Sequence, residues 1–138
     1  MVRMENGKGF TLIKASRNRD ERGCLSVVEA STGCLPFVAK RIFWITDIPQ
    51  GAERGGHMHL SCTEAVFAVA GSFDIDIDDG RQRVTLHLAS PDEGVVIAPK
   101  TWCRLYNFGA GTVCVACCDE LYDPSGYVND YEEFKSWC

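Results

Sequence analysis

The stretch Gly55-Gly56-His57-Met58-His59 sets two imidazoles two residues apart, and a carboxylate follows at Glu64. On an extended strand, residues i and i+2 share a face, so His57 and His59 project to the same side. If that side is the interior of a closed sheet, Glu64 can arrive from the next strand. A neutral imidazole carries a lone pair and titrates near neutrality, which suits a general base. The same three side chains are also a transition-metal ligand set, and the plainest alternative is a hydrogen-bonded pair of core histidines. Other groups with chemical potential read as structural. Of the eight cysteines, Cys114, Cys117 and Cys118 fall in the apolar run 112–118. Strand alternation turns Cys114 and Cys118 one way and Cys117 the other, and no second C-x-x-C completes a zinc set, so they read as small buried hydrophobes. The acidic run Asp74, Asp76, Asp78, Asp79 lacks the glycine and glutamate positions of a calcium loop and reads as a solvated strand face beside a hairpin. His87 reads as structural.

The elements that must position these groups are short strands between turn signals. Strands are expected over 25–29, 39–47, 64–70, 73–77, 83–88, 95–98, 102–108 and 112–118, making roughly eight or nine with the histidine segment. Asp79-Gly80 marks a hairpin. The tail 128–138 predicts one short helix with Tyr131, Phe134 and Trp137 on one side. Regular turns and little helical periodicity favour a sandwich or closed barrel. At 138 residues, with no repeat or linker, one domain spanning 1–138 is expected. The apolar share of 46% is ordinary for a globular chain, and a net charge of −5 argues against a nucleic-acid or membrane-surface role. With no apolar leader and no apolar run of membrane-spanning length, a cytoplasmic protein is expected.

The segment from Gly51 through His57, His59 and Glu64 to Gly71 resembles the first motif of the cupins: Gly, five residues, His-x-His, four residues, Glu, six residues, Gly. The resemblance implies an all-β cupin jelly-roll β-barrel, here with a short C-terminal helix. Metal-binding cupins add a histidine from a second motif. The corresponding stretch here runs from Pro99 to Asn107, and by count the histidine position holds Arg104. A guanidinium has no lone pair and repels a cation, so Arg104 argues against metal and is expected instead to pair with Glu64 or hold an anionic group.

Nearly the whole chain from Asp20 to Phe134 further resembles the sugar 3,4-ketoisomerases that act on dTDP-4-keto-6-deoxyglucose. The matching stretches begin at Asp20-Glu21-Arg22-Gly23, Leu35-Pro36-Phe37, Glu53-Arg54-Gly55-Gly56-His57-Met58-His59, Gly71-Ser72-Phe73-Asp74, Trp102-Cys103-Arg104-Leu105-Tyr106-Asn107-Phe108 and Tyr122-Asp123-Pro124-Ser125-Gly126-Tyr127. The resemblance implies an isomerase of deoxysugar biosynthesis with no metal or other cofactor. It also implies a homodimer that exchanges N-terminal strands, and a dTDP-linked 4-keto-6-deoxy sugar as substrate. His57 and His59 are then the acid–base pair that moves the ketone from C4 to C3 through an enediol. Arg22, Arg41, Arg54, Glu64, Trp102 and Arg104 are candidate substrate contacts, with Arg41 or Arg104 as donor to the developing oxyanion and Lys100 a further cation for the diphosphate. Trp44 and Trp102 are expected to pack in the core, stacking on the base or sugar being the alternative. The chain departs from its relatives by lacking a phenol at Phe43-Trp44 and by carrying Glu64 where they often have glutamine. A nucleotide-sugar 3,5-epimerase, a metal-dependent cupin oxygenase and a sugar-binding module are the alternatives.

Overall fold

The computed structural model describes residues 3–5 (by backbone alone), 9–31 and 33–138. Thirteen strands occur among these residues. They are β1 (Arg3–Glu5), β2 (Phe10–Lys14), β3 (Ser16–Asp20), β4 (Gly23–Val27), β5 (Arg41–Ile45), β6 (Arg54–His59), β7 (Glu64–Ala70), β8 (Phe73–Asp78), β9 (Arg83–Leu88), β10 (Glu93–Ile97), β11 (Trp102–Tyr106), β12 (Val113–Cys118) and β13 (Tyr127–Val128), followed by the helix α1 (Tyr131–Ser136). A six-stranded sheet of order β1-β2-β10-β7-β12-β5 faces a five-stranded sheet of order β13-β6-β11-β8-β9, and β3-β4 forms a separate hairpin. Pairing within the sheets is antiparallel throughout. This is the cupin jelly roll with its short terminal helix.

Strand alternation sorts most of the buried apolar side chains into three clusters. Between the sheets lie Val66, Phe73, Ile75, Ile77, Val95, Ile97, Cys103, Leu105, Cys114 and Ala116. Behind the six-stranded sheet, Ala65, Phe67, Val96 and Cys117 are covered by Cys34, Leu35 and Phe37 of the 28–39 connection. Strands β7 and β10 are therefore buried on both faces, which explains why their sequences run apolar without alternating. Behind the five-stranded sheet, Met58 and Trp102 pack under Phe134 of α1 and Val128. Phe134 is fully buried, contributing about 2–3 kcal/mol by area alone. Asp130 caps α1 by accepting from Glu132 N.

Four sequence expectations need correction. Trp137 is the C-cap of α1 and half exposed, so only Tyr131 and Phe134 form the packed side of the helix. The aspartate face of β8 is not solvated. Asp76 is 4% exposed and accepts from Thr85 Oγ1 (2.7 Å), Tyr106 Oη (2.8 Å), Arg83 and Arg104 (3.0 Å each). Asp78 accepts from Tyr131 Oη at 2.5 Å, and Asp74 bonds Asn107 and His87. Strands β2 and β3 go unannounced in the sequence, and β3 (Ser-Arg-Asn-Arg-Asp) is exposed along its length, so no hydrophobic period betrays it. Trp44 points outward from β5 and is 67% exposed, so it belongs to no core.

Candidate active site

His57 owes its aim to two glycines. The register pairs His57 with Cys103 but Gly55 with Arg104, so Gly56 is an extra residue in β6 opposite β11. Gly55 and Gly56 have φ of 78° and 72°, a left-handed conformation that a side chain resists. A Cβ on Gly55 would lie 3.1 Å from the Cys103 carbonyl oxygen. The bulge bends the strand end, and beyond it His57 and His59 face the barrel interior while Met58 turns to the α1 side. The two imidazole centroids are 4.9 Å apart, at 78°.

Tyr127, on β13 opposite His59, closes the cluster, its ring centroid 5.1 Å from His57 and 4.6 Å from His59. Its phenol oxygen accepts from Arg41 Nη2 at 3.1 Å, and Arg41 also reaches Cys118 Sγ at 3.4 Å. Arg41 in turn lies over the rings of Phe43 and Tyr122. Glu64, 5% exposed, begins β7 with Oε2 3.7 Å from His59 Nε2, and accepts a weak bond from Cys118 Sγ at 3.6 Å. Nε2 of each histidine is buried with no hydrogen-bond partner. A cavity of about 120 Å³ opens onto this cluster. His57, Glu64, Cys103 and Arg54 are its polar lining, set among Phe43, Ile45, Val66 and Leu105.

The electrostatics follow from that apolar setting. Burial, reinforced by electrostatic repulsion from the neighbouring His59, holds the pKa of His57 below the usual imidazole value. Burial pushes the Tyr127 phenol up in spite of Arg41, so it remains a proton carrier. Burial also penalises the Arg41 charge, but its bonds to Tyr127 and Cys118 outweigh that and keep the guanidinium protonated. Burial, with the Glu64 charge beside it, raises the Cys103 thiol well above its usual value and the Cys114 thiol to about 12.

Of the residues singled out in the sequence, the fold brings together His57, His59, Glu64 and Arg41, with Arg54 at the cavity mouth. Three others stand elsewhere. Arg104 does not enter the barrel or meet Glu64. Alternation along β11 turns it to the outer face, where it pairs with Asp76 and Glu53 and stacks on Tyr106. The count of motif residues took Arg104 for the inward position, whereas the bulge and strand parity give that position to Cys103. Trp102 shares the outward parity and packs under α1 against Tyr131 and Phe134. Arg22 sits exposed at the β3–β4 turn, paired with Asp20 at 2.8 Å. Sequence reasoning missed Tyr127 and Cys103. Tyr127 lies in one of the matched stretches, but nothing in its local pattern announces that β13 folds back onto β6.

The chain is similar to several known proteins. A family model described as FdtA: WxcM-like, C-terminal matches residues 8–138. The TDP-4-oxo-6-deoxy-alpha-D-glucose-3,4-oxoisomerase of Aneurinibacillus thermoaerophilus is 29% identical over 118 residues, covering 86% of this chain and 84% of its own. The crystal structure of QdtA, a sugar 3,4-ketoisomerase from Thermoanaerobacterium thermosaccharolyticum in complex with TDP, superposes with a TM-score of 0.89 at 26% identity, over 94% of this chain and 93% of that one. WlaRA, the TDP-fucose-3,4-ketoisomerase of Campylobacter jejuni, gives a TM-score of 0.86 at 30% identity, over 93% and 94%.

Proposed function

The chain belongs to the FdtA, WxcM-like C-terminal family, and from that premise we propose that it is a 3,4-ketoisomerase of dTDP-linked 4-keto-6-deoxy sugars, serving deoxysugar biosynthesis. The observation that carries the chemistry is His57 Nε2, buried without a hydrogen-bond partner on a residue that lines the cavity, with His59 and Tyr127 packed behind it. An unpartnered neutral imidazole in an apolar wall is a base with its lone pair free.

The reaction needs little else. The C4 carbonyl acidifies the C3 proton. His57, the histidine of the pair that lines the cavity, takes it; the C–H electrons form the C3–C4 double bond, and O4 becomes an oxyanion that is then protonated. Loss of the O3 proton next makes the C3 carbonyl while C4 accepts a proton. Atoms and electrons balance without an external oxidant. His59, beside Glu64, relays protons, and the Arg41-Tyr127 pair supplies the donor for the enediolate oxygen. A cavity of about 120 Å³ is below the roughly 300–1,000 Å³ of pockets that enclose a whole drug-sized ligand. The sugar therefore enters and the nucleotide lies outside, with Arg54 at the mouth as a cation for the diphosphate.

On this reading the chain is one domain and works as a cytoplasmic homodimer with exchanged N-terminal strands. Ile42 and Trp44 on the edge strand β5 and Leu25 on the β3–β4 hairpin expose apolar surface suited to a second copy. Exchange would also give the exposed Arg22 hairpin a partner surface to meet. Among the described residues no helix is long and apolar enough to cross a membrane.

Asparagine at position 57 or 59 keeps the approximate shape and removes the titration. His57→Asn is expected to lower kcat by about a thousandfold or more and His59→Asn by a smaller factor, within the 10²–10⁴ that a positioned base contributes. Both variants should retain the wild-type circular dichroism spectrum. Full activity in both variants would refute the acid–base assignment.

A further inference from the structure

We infer that Cys118 is a positioning residue for the isomerisation: its thiol stands between Arg41 and Glu64, keeps the two from pairing, and so leaves the guanidinium to act with Tyr127 on the substrate oxygen. This role deepens the ketoisomerase reading and rests on it, whereas the spacing itself does not. Cys118 ends β12, the middle strand of three. The register sets it opposite Arg41 of β5 on one side and opposite Glu64 of β7 on the other. Residues directly opposite in neighbouring strands share a face, so the order along the barrel wall is cation, thiol, carboxylate. Cys114 and Ala116 of the same strand face the core between the sheets, and the fully buried Cys118 continues that face.

The contacts follow that order. Arg41 Nη2 donates to Cys118 Sγ at 3.4 Å, and the thiol donates to Glu64 Oε2 at 3.6 Å. Burial and the charge of Glu64 raise the thiol pKa well above its usual value, so it keeps the proton which the second bond needs. A polar chain thus runs from Tyr127 Oη through Arg41, Cys118 and Glu64 to His59 Nε2, 3.7 Å from the carboxylate. Four basic groups share this part of the wall with Glu64, namely His57, His59, Arg41 and Arg54. Among the described residues only His59 is within ion-pair distance of it. With nothing polar between them, a guanidinium and a carboxylate in an apolar setting close into a paired fork, and the guanidinium is then neutralised. Sulfur is a weak partner to both, so it holds the two ends without saturating either. Arg41 Nε stays buried with no partner. The Tyr127 oxygen accepts from Arg41, which leaves the phenol hydrogen for a developing oxyanion.

The test is a double-mutant cycle on isomerisation, with kcat and KM measured for Cys118→Ala, Glu64→Gln and the two combined. Closure of Arg41 onto Glu64 in Cys118→Ala should lower kcat by about ten- to a hundredfold and leave KM within about threefold. In the Glu64→Gln background the capturing charge is gone, and Cys118→Ala should cost less than about threefold. A cavity left by the lost sulfur would cost the same in both backgrounds, so an additive cycle overturns the inference. Cys118→Ser keeps a donor and an acceptor and should stay within about fivefold of wild type; a loss as large as that of Cys118→Ala overturns it too. A crystal structure of Cys118→Ala should place Arg41 within about 4 Å of Glu64, and unchanged side chains overturn it whether or not the sugar turns over. Should Cys118→Ala fail to fold, Cys118→Val, nearer in volume and unable to hydrogen-bond, takes its place in the cycle and the crystal with the same expected outcomes. Wild-type protein that never turns over the sugar sinks the ketoisomerase reading, and the variant's structure then decides the spacing by itself.

Discussion

At the scale of single residues, the site depends on one side chain being slightly out of its usual state. His57 is half-buried among apolar groups, which disfavours the imidazolium, and repulsion from the neighbouring His59 disfavours it further. The sign is clear: a lowered pKa keeps the base neutral as the solution acidifies. The rate constant kcat/KM should therefore hold as pH falls through the ordinary imidazole value of 6.5 and decline only below it. A pH profile with its acid limb at or above 6.5 would assign the essential proton to another group. Glu64 and the Arg41-Tyr127 pair were legible to different degrees. Glu64 follows from motif spacing. Arg41 could be named only as one cation among several, because its value lies in a contact with Tyr127, 86 residues away.

At the scale of elements, strand parity decides most of what was legible. The i, i+2 rule alone put His57 and His59 on one face and separated Cys117 from Cys114. Parity also decides the largest misreading. A motif count treats β11 as a string, in which Arg104 fills the histidine slot. The bulge at Gly56 and the pairing of His57 with Cys103 turn the thiol inward and the guanidinium outward. Once outside, Arg104 joins Arg83, Thr85 and Tyr106 around Asp76. Burial pushes the Asp76 carboxyl up, but these four bonds outweigh it and hold the pKa at about 2 against 3.8. A depressed carboxyl stabilises the fold above the unfolded value, here by about 2 kcal/mol. That contribution is lost as pH falls through 3.8 toward 2. Asp76→Ala should thus cost roughly 2–4 kcal/mol at neutral pH, since it also removes the Arg83 ion pair and leaves Arg104 with Glu53 alone. Urea unfolding should show the gap to wild type narrowing on acidification; a gap independent of pH would contradict the account.

At the scale of the molecule, two facing sheets close a small cavity lined by groups from several strands. The alternating and doubly buried strands made that class of fold readable from the sequence. The exposed β3–β4 hairpin carried no hydrophobic period and was only half visible. Its exposed Leu25, together with Ile42 and Trp44 on β5, bears on assembly. Sedimentation equilibrium should give twice the chain mass, and a Trp44→Glu, Ile42→Glu variant should shift toward the monomer. A wild-type monomer at micromolar concentration would remove the dimer from the account. The central claim concerns the carbonyl, and one NMR experiment reaches it directly: incubation of the chain with the TDP-linked 4-keto-6-deoxy sugar in heavy water. The account predicts that the C4 ketone signal gives way to a C3 ketone, with deuterium entering at C4. A carbonyl that stays at C4 while deuterium enters C3 and C5, or a spectrum that does not change, would contradict it.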